Sequence, residues 1–191
     1  MSIVPNPIPR TIALVGLMGA GKSAVGRRLA ARMGLPFIDA DTAIETAAGC
    51  TIEEIFARHG ETEFRDGERR VIQRLLESEP VHVLATGGGA FVNEQTRARL
   101  KQHAVTIWLR ADIETLLERV AKRSNRPLLK QGDPRTVLEK LIADRYPIYA
   151  EADIVVDTAP GPVEDMAERV LDALVAYLDR QDSLTERTAA S

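Results

Sequence analysis

The chain has 191 residues, 45% of them apolar and 28% charged, an ordinary globular composition with length enough for one continuous core. A formal net charge of −3 argues against a general nucleic-acid binder, so any basic cluster calls for a local anion. Cys50 is the single cysteine, which excludes an intrachain disulfide and a cysteine-based metal cluster.

Residues 1–10 hold three prolines and read as an extended arm without the apolar core of a signal peptide. No apolar run in the chain is long enough to span a bilayer, so a cytoplasmic protein without a membrane partner is expected. Thr11 to Val15 is an apolar run suited to a buried strand. Gly16-Leu17-Met18-Gly19-Ala20-Gly21-Lys22-Ser23 follows and reads G-x-x-x-x-G-K-S. Val25, Leu29 and Met33 then recur at helical spacing, and Gly34 with Pro36 closes that helix. Strand, glycine-rich turn and helix start make a phosphate-binding loop. Its glycines bring backbone N–H groups close to phosphate oxygens, and the helix N-terminus adds unpaired donors. Lys22 would reach the β- and γ-phosphates, and the Ser23 hydroxyl would ligate the accompanying Mg²⁺. A glycine turn in a generic α/β protein is the alternative, and the flanking strand and helix weigh against it.

Pro36 to Asp41 is a short apolar strand ending in Asp39 and Asp41, which should emerge on the ligand-binding rim of a parallel sheet. Equally, Asp41 or Thr42 could simply cap a helix over 43–48. Thr51-Ile52-Glu53-Glu54 resembles a capping box opening a short helix. From Gly60 to Glu68 the chain leads into a charged helix with Val71, Leu75 and Leu76 inward, and pattern alone does not separate Arg65 from its charged neighbours. His82 to Thr86 is the next strand and ends in Gly87-Gly88-Gly89, either a flexible turn or a close backbone approach to a ligand. Ala104 to Leu109 is another strand, with Trp108 buried. His59, His82 and His103 show no ligand spacing and read as structural or surface residues.

Asp112 starts a helix with Ile113, Leu116, Leu117 and Val120 on one face. It enters a basic stretch, 122–132, which is either a lid that closes over phosphates or a solvated connection. Asp133-Pro134 opens a helix predicted to end or kink at Tyr146-Pro147. Asp153 to Asp157 supplies a last strand, and Met166, Val170, Leu174 and Leu178 mark the closing helix. Residues 181–191 read as a disordered tail. Five strands alternating with helices predict a single three-layer α/β domain over 11–180, with a parallel sheet whose order the pattern does not reveal.

Placed in sequence, these pieces resemble the shikimate kinases, small members of the nucleoside-monophosphate-kinase-like P-loop group. The resemblance spans about residues 10–178 and rests on Gly16 to Ser23, Asp39-x-Asp41, Phe64-Arg65, Gly87-Gly88-Gly89, and Arg126-Pro127-Leu128-Leu129 followed by Arg145-x-x-x-Tyr149. It implies strand order 2-3-1-4-5, ATP with Mg²⁺, and phosphoryl transfer to the 3-hydroxyl of shikimate. Gly19, Ala20, Gly21, Lys22, Ser23 and Ala24 would hold the nucleotide phosphates, with Arg126 as the lid arginine and Arg123 as the arginine stacking on adenine. Asp41, Arg65, Gly87, Gly88, Gly89 and Arg145 would hold shikimate, and Asp39 would support Mg²⁺ through water. Lys22, Asp41 and Arg126 would be catalytic. Two arginines suit a ring carboxylate, since a guanidinium is a planar, permanently charged fork of donors. The rivals are a gluconate or nucleoside-monophosphate kinase of the same group, and a nucleotide-dependent switch without transfer activity. No exposed apolar stripe is evident, so a monomer is expected.

Overall fold

The computed structural model describes residues 10–121 and 133–189. Strands β1 (Thr11–Val15), β2 (Phe37–Asp39), β3 (Val83–Ala85), β4 (Ala104–Arg110) and β5 (Ile154–Asp157) form one parallel sheet in the order β2-β3-β1-β4-β5. Among the described residues seven helices surround it: α1 (Lys22–Met33), α2 (Ala40–Ala48), α3 (Ile52–Ser78), α4 (Glu94–His103), α5 (Ile113–Ala121), α6 (Pro134–Tyr149) and α7 (Val163–Ala189). A short 3₁₀ turn over Ala90–Val92 follows the triple glycine.

The period-2 alternation of a strand divides the core into two layers. Ile12 and Leu14 face α1 and α7, packing with Leu29, Val170 and Leu174. Ala13 and Val15 face the other way, toward Ile72 of α3, Leu100 of α4, Leu116 of α5 and Leu138 of α6. β1 is buried along its whole length, the expected state of a central strand covered on both sides. The β4–β5 pairing is pinned near its start. Thr106 donates to Asp153 Oδ2 from both its N–H (2.8 Å) and its hydroxyl (2.7 Å), and the Asp153 N–H returns to Thr106 Oγ1 at 3.0 Å.

Four helices differ from their predicted extents. α2 begins at Ala40 and its cap is Asp39, whose carboxylate accepts from the Asp41 N–H at 3.1 Å, so neither Asp41 nor Thr42 caps it. The two helices predicted on either side of residue 60 run as α3, kinked where Gly60 takes φ 78° and ψ −179°. α6 runs through Tyr146-Pro147 to Tyr149. The proline costs one amide donor in the last turn, and the Ala150 N–H still bonds back to the Tyr146 carbonyl at 3.0 Å. α7 carries helix through 181–189, residues read as a disordered tail, because no glycine or proline interrupts the chain from Val163 to Ala189. Among the described residues no helix is long and apolar enough to cross a membrane.

One buried titratable group lies far from the carboxyl rim. His82, 1% exposed, sits at the start of β3 with Nδ1 2.8 Å from the Pro80 carbonyl oxygen. Burial lowers its pKa below the ordinary value of 6.5, so the folded chain favours the neutral ring. The stability this provides is complete above the ordinary histidine value and is lost as the pH falls through the lower folded one. Thermal unfolding of the wild type and of His82→Asn, compared from about pH 7.5 to about pH 5, checks this. The variant should be less stable by about 1–2 kcal/mol at neutral pH, from lost packing, yet decline less steeply toward acid.

Candidate active site

The first half of the site is the loop between β1 and α1. Gly16 opens it at φ 137°, and a Cβ there would lie 2.8 Å from the Leu109 carbonyl oxygen, so this turn beside β4 demands glycine. Lys22, the first residue of α1, folds back over its own loop and donates to the carbonyls of Gly16 (2.8 Å) and Leu17 (2.9 Å). Gly21 caps the helix without a side-chain acceptor, and the first turn holds no acidic residue. An anion is the natural partner for such an end. The Ser23 hydroxyl donates to Asp39 Oδ2 at 2.6 Å, joining the first turn of α1 to the end of β2. Two hard oxygens side by side next to a phosphate loop fit the protein's usual share of a Mg²⁺ shell, the rest coming from phosphate and water. Among the described residues no cluster of three or more His, Cys, Asp or Glu could hold a metal by itself.

The second half is built on Gly87-Gly88-Gly89. Thr86 ties the end of β3 to β1 by donating to the Leu14 carbonyl from its N–H (3.1 Å) and its hydroxyl (2.9 Å). Each glycine then lies against a different functional group. A Cβ on Gly87 would fall 2.7 Å from Glu68 Oε1 and 2.9 Å from Asp41 Oδ1. On Gly88 it would meet the Met18 backbone nitrogen of the phosphate loop at 3.3 Å, and on Gly89 both terminal nitrogens of Arg65 at 2.5 Å. Arg145 donates to the Gly88 carbonyl at 3.1 Å, and the Tyr149 hydroxyl donates to the same oxygen.

Arg65 is positioned by Glu68, one helical turn on, through a 2.7 Å bond to Oε2. Glu68 is 2% exposed and its Oε1 has no hydrogen-bond partner among the described residues. Burial pushes its carboxyl above the ordinary range, Arg65 and Arg145 pull it down, and Asp41 pushes it up. Asp41, Arg65, Glu68 and Arg145 therefore share one electrostatic neighbourhood around the glycine turn.

A cavity of about 350 Å³ runs from Asp41, Thr86 and Gly88 across Gly19 to Val25 and on to Arg119 and the segment Ala159–Met166. Lys22, Ser23, Ala24, Asp39, Asp41 and Gly88 all line it. Arg65, Gly87, Gly89 and Arg145 stand around its Gly88 end. Arg123 and Arg126 lie outside the described residues.

Three participants escape the sequence reading. Arg119 of α5 donates to the Ala20 carbonyl at 3.1 Å and the Ala159 carbonyl at 3.4 Å, bridging the phosphate loop to the far rim. In the sequence it is one more charge on an amphipathic helix. Glu68 had a signal, its three-residue spacing from Arg65. The far rim, Ala159 to Val163, carries only the look of a proline- and glycine-rich turn.

The family's sequence model for shikimate kinase matches residues 18–175. The chain is 57% identical over 182 residues to the shikimate kinase of Paramagnetospirillum magneticum, covering 95% of this chain and 93% of that protein. It is 59% identical over 165 residues to that of Caulobacter vibrioides, covering 86% and 82%. A solved structure of the Acinetobacter baumannii shikimate kinase in complex with shikimate aligns with a TM-score of 0.85 at 39% identity, over 88% of this chain and 94% of that one. Sequence, fold and strand order agree: the chain belongs to the shikimate kinase family.

Proposed function

We propose that this protein transfers the γ-phosphoryl group of ATP to the 3-hydroxyl of shikimate, giving shikimate 3-phosphate. The observation that carries this reading is Gly88, with the phosphate loop on one side and Arg145 on its carbonyl, so that phosphate donor and acceptor share one wall. Gly19, Ala20, Gly21 and Ala24 cradle the nucleotide phosphates with their backbone, and Lys22 reaches the transferring group. Arg119, between the phosphate loop and the Ala159–Met166 rim, is suited to cover the nucleotide base, the role that the resemblance gives to Arg123, which lies outside the described residues. Arg65 and Arg145 take the ring carboxylate, and Asp41 takes ring hydroxyls. Ser23, with Asp39 acting through water, would hold Mg²⁺, which when bound would supply positive charge against the phosphate oxygens.

The 3-hydroxyl oxygen forms a bond to the γ-phosphorus as the bond to the departing ADP oxygen breaks. The transition state is loose, so alignment and charge neutralisation matter more than early deprotonation. Asp41 accordingly orients the hydroxyl first and accepts its proton late. Lys22, and Arg126 from the segment 122–132, neutralise charge on the transferring oxygens. A lid over that segment would exclude water, the competing nucleophile. Residues 11–180 act as one kinase domain that works as a monomer in the cytoplasm.

ADP release from ATP and Mg²⁺, measured with shikimate, quinate, gluconate, AMP, CMP or no acceptor, tests the proposal. Stimulation by shikimate alone is expected, and release independent of any acceptor would overturn it. Lys22→Met should lower turnover by about 10²-fold or more with the fold intact, as removal of a preorganised charge does. Asp41→Asn separates orienter from base. A rate within about tenfold of wild type marks an orienter, since a general base is typically worth 10²–10⁴. Gly89→Ala isolates the acceptor half. Gly89 has φ −99° and ψ −11°, which alanine adopts freely, but the new methyl must displace the Arg65 guanidinium. The variant should melt near wild type while its KM for shikimate rises by about tenfold and its KM for ATP stays within about twofold, as loss of a charge-assisted contact predicts.

A further inference from the structure

The three glycines of the acceptor turn have no side chains to fix them, so their carbonyls show what does. The Gly87 and Gly89 carbonyls are held locally, accepting from the N–H groups of Ala90 (3.2 Å) and Val92 (3.1 Å). The Gly88 carbonyl is held from α6, by Arg145 Nη1 and the Tyr149 hydroxyl. A trans peptide is planar, so the direction of the Gly88 carbonyl also sets the direction of the Gly89 N–H, which points the opposite way.

Tyr149 is built for this bond. Its ring is 1% exposed and packs against Trp108 at 5.9 Å, Tyr146 at 6.3 Å and Phe91 at 6.4 Å. Burial pushes its pKa up to about 12, which keeps the hydroxyl protonated and able to donate. The Arg145 guanidinium lies beside the same hydroxyl and lowers that value. Hydroxyl, guanidinium and carbonyl thus form one three-way contact at the wall of the cavity.

We propose that the Tyr149 hydroxyl is a positioning group for the acceptor, fixing the Gly88–Gly89 peptide and the Arg145 guanidinium in the orientation that receives it. The proposal rests on the reading of shikimate as acceptor. Without the hydroxyl, the Gly88 carbonyl keeps one donor of two, and both the peptide and the arginine gain freedom that binding must remove. Lys22 and Ser23 on the nucleotide side are held independently of Tyr149, by the carbonyls of Gly16 and Leu17 and by Asp39.

The test is steady-state kinetics of Tyr149→Phe beside Tyr146→Phe, with thermal melts of both. Tyr146 shares the helix and the aromatic cluster, but its hydroxyl donates to the Ala111 carbonyl. Tyr149→Phe should raise the KM for shikimate by about fivefold or more, the scale of one lost buried hydrogen bond, with the KM for ATP within about twofold. Tyr146→Phe should leave both constants near wild type whatever it does to the melting temperature. Equal shifts in the two KM values, equal effects of the two variants, or outright unfolding of Tyr149→Phe alone would each overturn the proposal and mark the hydroxyl as structural. Absence of shikimate-dependent turnover in the wild type would instead defeat the substrate assignment.

Discussion

A phosphoryl transferase must bring two anionic reactants together and keep water from taking the place of one, which requires a wall that both can touch. In this fold the wall is backbone. Gly87, Gly88 and Gly89 leave β3 with no side chains, and the space that Cβ atoms would fill is taken by Asp41 and Glu68, by the phosphate loop, and by Arg65 in turn. Larger residues at these positions would push Asp41, Glu68 and Arg65 away from the phosphate loop. The compact site depends on that omission, and its cost is a segment that must be held by its carbonyls alone.

The charge arrangement follows from the same crowding. Two arginines aimed at one small volume repel each other, and a buried carboxylate between them compensates. Glu68 fills that role with one oxygen on Arg65 and the other without a partner among the described residues. Burial alone would favour its protonated form, and the arginines oppose that. A fork held by Glu68 is preorganised, so a ligand carboxylate meets donors already in place and little side-chain entropy remains to be lost on binding.

How much of this the sequence displays depends on the range over which each signal acts. The phosphate loop, its strand and its helix form a contiguous local unit, and Gly16, Lys22 and Ser23 are legible because the motif states its own geometry. The five strands are legible from apolar runs, though their order is not, since the crossovers that set it leave no local mark. Asp39 and Asp41 look alike in sequence and both line the cavity, yet one caps α2 and bonds Ser23 while the other lies against Gly87. Arg119 is hidden among surface charges because its partners are backbone carbonyls at Ala20 and Ala159. Side chains that bond to backbone leave no complementary residue in the sequence to point at them.

The order β2-β3-β1 is what turns these separate pieces into one site. Leu14 of β1 and Asp39 of β2 both register with Ala85 of β3, so the three strands end level at one rim. Neighbouring strands lie about 4.8 Å apart, so the phosphate loop, the glycine turn and the aspartate pair emerge within about 10 Å of each other. An order that set β4 between two of them would separate the reactants by another strand width. The arginines proposed to hold the acceptor then have only to come from helices that cross this rim. α3 supplies Arg65 with its own carboxylate three residues on, and the last turns of α6 supply Arg145 and Tyr149 to the one carbonyl that the glycine turn does not hold for itself.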